Sequence, residues 1–118
     1  MSKCVLLLIA VLMVSFATPS RAETSADDTL EFVMGDNEEK AELAKIWIDG
    51  MVTGLSWANV VLKSQGRSRL YCPPPDLALT NEQQIDILRR GVADEPGWGT
   101  YPVGLIMLQA LQLAYPCQ

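Results

Sequence analysis

The chain has 118 residues, contains no histidine and carries a formal net charge of −5. This length suits one small domain, and the lack of histidine removes the commonest general base and the commonest zinc ligand. The acidic balance argues against nucleic acid and anionic lipid as partners and suits a basic partner, although solubility alone also accounts for such a charge.

Residues 1–22 have the pattern of a cleaved secretory signal peptide. Lys3 supplies the positive start, and the run from Val5 to Ala17 is apolar apart from one serine. Small residues flank Arg21 just before a cleavage site after Ala22. The alternative, a membrane anchor, needs about 20 apolar residues. We therefore predict a mature domain of residues 23–118 in the periplasm, with no membrane association after cleavage. Loss of Lys3 and Arg21 leaves seven basic residues against 14 acidic ones, a net charge of −7.

The mature chain begins with two predicted helices. Acidic residues ahead of an apolar group, and Gly35 after it, predict a short helix from Asp28 to Met34. Asn37 is a suitable cap for the longest element, which is predicted from Glu38 to Ser64. This long helix carries no charge between residues 50 and 62, a pattern typical of a central helix that others nearly surround.

Small residues recur every four positions in the long helix, at Gly50, Gly54 and Ala58. Such spacing lets another backbone come close, and in membranes it marks dimer faces. In this chain we expect it to indicate close packing within the domain, so that Gly54→Leu would destabilise the fold by overpacking.

Two further helices follow a proline-rich segment. Thr80 and Gln83 fit a capping box and predict the start of a third helix, whose apolar stripe is Ile85, Leu88 and Val92. Proline and glycines at 96–99 interrupt it, and a very apolar last helix is predicted from Val103 to Ala114. No alternating run indicates a strand. The sequence therefore predicts an all-α fold, a small bundle of about four helices.

Two cysteines remain after removal of the signal, Cys72 and Cys117, and each lies beside proline. An even pair in a secreted chain is a disulfide candidate, with two buried free thiols as the alternative. A bond between them would hold the bundle together and stabilise it by about 4 kcal/mol in the chain-entropy model. Their separation excludes a CxxC redox pair.

The sequence contains no recognisable catalytic constellation, metal-ligand set or cofactor motif, so we expect a binding protein and not an enzyme. The loop "DEPGWGTY" places aromatic residues among glycines and acids, which suits an interface. We predict partner contacts at Asp94, Glu95, Trp98 and Tyr101, with Trp98 as the anchor. The alternative is that Trp98 folds back over the bundle. The acidic turn at residues 35–39 is the next candidate surface.

Four segments together resemble the type VI secretion amidase-immunity family, the Rap/Tai immunity proteins. They are "GMVTGLSWA", "YCPPP", "TNEQQIDILRRGVADEP" and "ALQLAYPC", and the similarity runs from about Leu30 to Cys117. The resemblance implies a periplasmic helical protein, often a dimer, that binds a peptidoglycan amidase toxin and blocks its active site. It also implies that Cys72 and Cys117 are bonded. Members often have a further cysteine pair, which the corresponding segments "EFVMG" and "KIWIDG" lack.

Two other functions remain open beside toxin neutralisation. One is a periplasmic chaperone of the acid-stress type, and the other is an assembly factor of the envelope. The lack of histidine argues mildly against a switch near pH 6, but carboxylates would still titrate at lower pH.

Overall fold

A computed structural model describes residues 23–118, so the predicted signal peptide lies outside the described residues. The described part contains four α-helices: α1 (Ala26–Met34), α2 (Glu38–Ser64), α3 (Asn81–Asp94) and α4 (Val103–Ala114). A short 3₁₀ helix, Trp98–Thr100, lies between α3 and α4. Residues 23–118 form no β-strand, and the predicted all-α fold is confirmed. None of the helices in this part of the chain combines the length and apolar character needed to span a bilayer.

Local capping groups fix where the helices begin. Asn37 Oδ1 accepts a hydrogen bond from the Lys40 N–H at 2.9 Å, and α2 has the predicted bounds. Thr80 and Gln83 form the predicted capping box at the start of α3. Helix α1 begins two residues earlier than predicted, because Ser25 is its cap and accepts from the Asp28 N–H at 3.1 Å.

The core is centred on α4, which packs chiefly against α3. Val103, Met107 and Leu111 of α4 are fully buried. The two helices come close where a Cβ added at Gly91 would lie 2.8 Å from the Ala110 Cβ. The close helix approach that the sequence led us to expect on α2 therefore occurs between α3 and α4.

Helix α2 buries one face only, which corrects two expectations. Its buried residues share that face: Ala41, Ala44, Ile48, Val52 and Asn59. The expectation of a nearly surrounded helix is wrong, because Trp57 on the opposite face is 65% exposed. Close packing at Gly50 and Gly54 is wrong too, since nothing in the described chain but the neighbouring backbone of α2 itself lies near a Cβ added at either position. The other three helices all lie on the buried side of α2, and no described helix covers its exposed side.

Polar contacts and the disulfide fix the segment between α2 and α3. The Asn59 side chain donates to the Tyr71 carbonyl at 2.9 Å and accepts from the Leu70 N–H at 2.7 Å. The Cys72 N–H donates to the Tyr115 carbonyl at 2.7 Å, and Cys72 is bonded to Cys117 with their Cα atoms 4.9 Å apart. The predicted disulfide is thus present, and it ties the proline-rich segment to the C-terminus.

Candidate protein-binding site

An acidic cleft of about 550 Å³ lies where α1 and α4 begin. Its walls are Glu23, Thr24, Ser25, Asp27, Asp28, Trp47, Gly99, Thr100 and Pro102. Three of these residues carry carboxylates, and none of the described residues that line the cleft is basic. A concave surface with this lining suits a cationic group of a partner.

The start of α4 positions Glu23. Glu23 Oε1 accepts a hydrogen bond from the Gly104 N–H at 2.7 Å. The neighbouring Val103 N–H donates to the Thr24 carbonyl at 3.0 Å. The first N–H groups of a helix lack partners within the helix, and its dipole favours a carboxylate there. Residues 23 and 24 are therefore fixed against α4, although they precede the first helix.

The other two carboxylates, Asp27 and Asp28, belong to the first turn of α1. The Asp27 carboxylate occupies the space that a side chain at Gly99 would need. Gly99 therefore lets the 3₁₀ helix come against α1, and the Ala26 N–H donates to the Tyr101 carbonyl at 3.0 Å in the same region. Two helix starts and one loop converge to hold the acidic groups in place.

The four residues predicted to bind a partner lie on one continuous segment of the chain but differ in exposure. Trp98 is half-buried and packs against the core, with its Cζ3 3.8 Å from a Cβ added at Gly91. This is the folded-back arrangement, which leaves less of the ring for a partner. Tyr101 is 54% exposed and lies beside the cleft, while Asp94 and Glu95 are exposed at the end of α3.

Sequence reasoning missed two members of the cleft, Glu23 and Trp47. No local signal pointed to Glu23, because its contact with Gly104 joins residues 81 positions apart. Trp47 lies in the apolar part of the α2 sequence, yet it is 40% exposed and forms one wall of the cleft. Asp27 and Asp28 are the acidic residues that predict the start of the first helix, and both are exposed and line the same concavity.

Within residues 23–118 no group of three or more histidine, cysteine or carboxylate side chains is arranged to hold a metal ion. Each fully buried side-chain nitrogen and oxygen in this part of the chain has a hydrogen-bond partner. Comparison with known proteins finds no matching family model, no matching curated protein and no matching solved structure.

Proposed function

We propose that the protein is a periplasmic immunity protein that binds a peptidoglycan amidase toxin and covers its active site. The observation that carries this proposal is the acidic cleft with exposed Tyr101 beside it. The resemblance to amidase-immunity proteins supplies the class of partner. A disulfide-bonded helical domain also suits an oxidising compartment.

The cleft has the properties of a preformed binding surface. Its carboxylates lie at helix starts and need little ordering when a partner docks, which lowers the entropic cost of association. They also attract a basic surface over a distance and speed the encounter. Tyr101 adds an amphipathic aromatic group of the kind that often anchors an interface.

The experiment is calorimetric titration of papain-like peptidoglycan amidases, taken from the same genome and from competing strains, into the purified protein. We expect one amidase to bind, and we expect Asp27→Asn combined with Asp28→Asn to weaken binding by about 2 kcal/mol or more. The matched control is Asp76→Asn combined with Glu82→Gln, which removes two exposed charges that do not line the cleft. If both double variants bind as the wild type does, the cleft is not the docking surface.

The second candidate function is a chaperone, and the exposed apolar face of α2 favours it. A chaperone would suppress aggregation of unrelated unfolded proteins in acid, whereas an immunity protein would bind one amidase at neutral pH. Light scattering of a model client at both pH values separates the two functions.

A further inference from the structure

A groove runs between α2 and the proline-rich segment that precedes α3. It consists of two depressions, one of about 380 Å³ and one of about 230 Å³. Four residues line both depressions: Ser56, Tyr71, Pro73 and Leu77. The two depressions are therefore parts of one groove. None of the residues that line this groove lines the acidic cleft, so it is a separate surface of the molecule.

The wall opposite α2 is held in place before any partner arrives. Tyr71 is buried beneath the groove, and its hydroxyl lies 3.1 Å from Ser56 Oγ. The proline-rich segment forms a turn in which the Leu77 N–H donates to the Pro74 carbonyl at 3.3 Å. The disulfide at Cys72 fixes the start of this segment. A partner that enters the groove therefore has little protein to order, which lowers the cost of binding.

The lining combines exposed apolar side chains with hydrogen-bonding groups. Trp57, Val60 and Leu77 are 65%, 54% and 40% exposed. Residues 73–75 are prolines without an N–H group, so the backbone of this wall offers carbonyl acceptors only. The Thr53 hydroxyl lies on the α2 side. An extended peptide can match both kinds of group, whereas an acyl chain would leave the polar ones without partners.

The length of the groove suits a short extended segment. Along α2 its lining runs from Asp49 to Lys63, which are 14 positions apart. A helix rises 1.5 Å per residue, so this distance is about 21 Å. An extended chain rises about 3.3 Å per residue, and about six residues therefore span the groove.

The charges at one end of the groove call for an acidic partner group. Lys63 and Arg69 line the larger depression, together with one acid, Asp76. Residues 63–69 contain three basic residues and no acid, although the chain as a whole is acidic. Neither Lys63 nor Arg69 forms an ion pair with another residue of the described chain. The other end of the groove carries Asp49, so the two ends differ in sign and favour one orientation of a bound peptide.

We propose that this groove binds an extended peptide segment of a partner protein. The segment is about six residues long, places apolar side chains against Trp57 and Val60, and brings an acidic group to Lys63 and Arg69. This inference concerns a second surface and does not depend on the immunity function proposed for the cleft.

Selection from a phage-displayed library of random peptides on the immobilised, disulfide-bonded protein is the first test. We expect the enriched peptides to carry an acidic residue next to apolar ones. Synthetic copies, followed by fluorescence anisotropy, should bind with a Kd of about 100 μM or tighter. Enrichment of no peptide, or of peptides without an acidic residue, overturns the proposal. Binding of dodecanoate in place of any peptide would assign the groove to acyl chains and would also overturn it.

Two neighbouring valines of α2 provide a matched pair of variants. Val60 lines the groove and Val61 does not, while their exposed fractions are 54% and 51%. Val60→Glu places a carboxylate beside the bound acidic peptide, and we expect it to raise the peptide Kd at least about tenfold. Val61→Glu should leave Kd within about twofold of the wild type. Equal effects of the two variants would show that the peptide binds elsewhere.

A second pair of variants tests the basic end. Lys63→Gln should raise the peptide Kd at least about threefold and reduce its dependence on salt. The control is Lys40→Gln, which alters an exposed lysine at the other end of α2, outside the groove, and leaves both quantities unchanged. Circular dichroism checks that each variant folds. Should Val60→Glu fail to fold, the lysine pair decides, and an unchanged Kd for Lys63→Gln contradicts the proposal.

Discussion

At the scale of single residues, a few polar side chains join segments that local sequence leaves unconnected. Asn59 is the clearest example, since it is buried on α2 and satisfies both an N–H and a carbonyl of the segment before Cys72. Glu23 has a comparable role at the other end, where it caps α4. These contacts position the proline-rich segment and the wall of the cleft.

Replacement of Asn59 is expected to be costly. Asn59→Ala leaves the Leu70 N–H and the Tyr71 carbonyl without their partner, and we expect the free energy of unfolding to fall by about 2–4 kcal/mol. Urea denaturation at one fixed protein concentration measures it. The control is Ser56→Ala, one turn earlier, which loses only a hydroxyl contact with Tyr71 and should cost about 0.5–1.5 kcal/mol. Equal losses for the two variants would contradict this bridging role of Asn59.

We expect substitution of Trp98 to affect mainly the stability of the fold and substitution of Tyr101 to affect mainly the binding of the amidase. Trp98→Ala removes an aromatic ring that packs on the core, so we expect it to lower the free energy of unfolding by about 2 kcal/mol. Tyr101→Ala alters an exposed ring and should change stability by less than about 0.5 kcal/mol, while weakening amidase binding by about 2 kcal/mol. Denaturation and calorimetry on the same two variants give both quantities. A stable Trp98→Ala protein with weakened binding would restore Trp98 as the anchor.

At the scale of helices, α3 and α4 come close at Gly91 and Ala110, where a Cβ added at Gly91 would lie 2.8 Å from the Ala110 Cβ. Helix α3 leads into the loop that carries Trp98, and the Trp98 ring also lies near Gly91. The lack of a side chain at Gly91 therefore leaves room for both α4 and the Trp98 ring.

The contact at Gly91 leads to a prediction with an internal control. Gly91→Ala should destabilise by about 1–3 kcal/mol, because its new methyl group meets the Ala110 Cβ, although alanine favours a helix by about 1 kcal/mol over glycine. Adding Ala110→Gly removes the opposing methyl group. We expect a favourable coupling of at least about 0.5 kcal/mol between the two changes in thermal or urea unfolding. Strictly additive effects would show that the two residues do not meet.

Local signals in the sequence predicted the helices to within two residues but did not predict how the helices pack. Asn37 and Thr80 are caps that act within one turn, so the start of α2 and of α3 followed from the residues alone. The burial of α2 did not, because the helix has two apolar faces. The smaller residues Ala41 and Ala44 line the buried one, while larger side chains such as Trp57 lie outside. Ile48 and Val52 also lie on the buried face, so size and hydropathy do not distinguish the two faces, and the sequence predicted burial on nearly all sides. Only the tertiary arrangement decides which face the domain covers.

At the scale of the whole molecule, the disulfide and the four helices hold two surfaces of different character. The acidic cleft lies where α1 and α4 start, and an exposed apolar face that includes Leu43, Trp47 and Trp57 runs along α2. Trp47 belongs to both. In the proposed complex, the cleft receives the toxin. The cleft could not be predicted from local sequence, because its lining comes from three segments that only the fold brings together. These are residues 23–28, residue 47 and residues 99–102.

The immunity function is tested most directly by the rate at which a papain-like peptidoglycan amidase hydrolyses purified peptidoglycan with and without an equimolar amount of the protein. We expect one amidase from the same genome or from a competing strain to lose nearly all its activity, and we expect the Asp27→Asn, Asp28→Asn variant to leave most of that activity. Full activity of every such amidase in the presence of excess wild-type protein would contradict the immunity function.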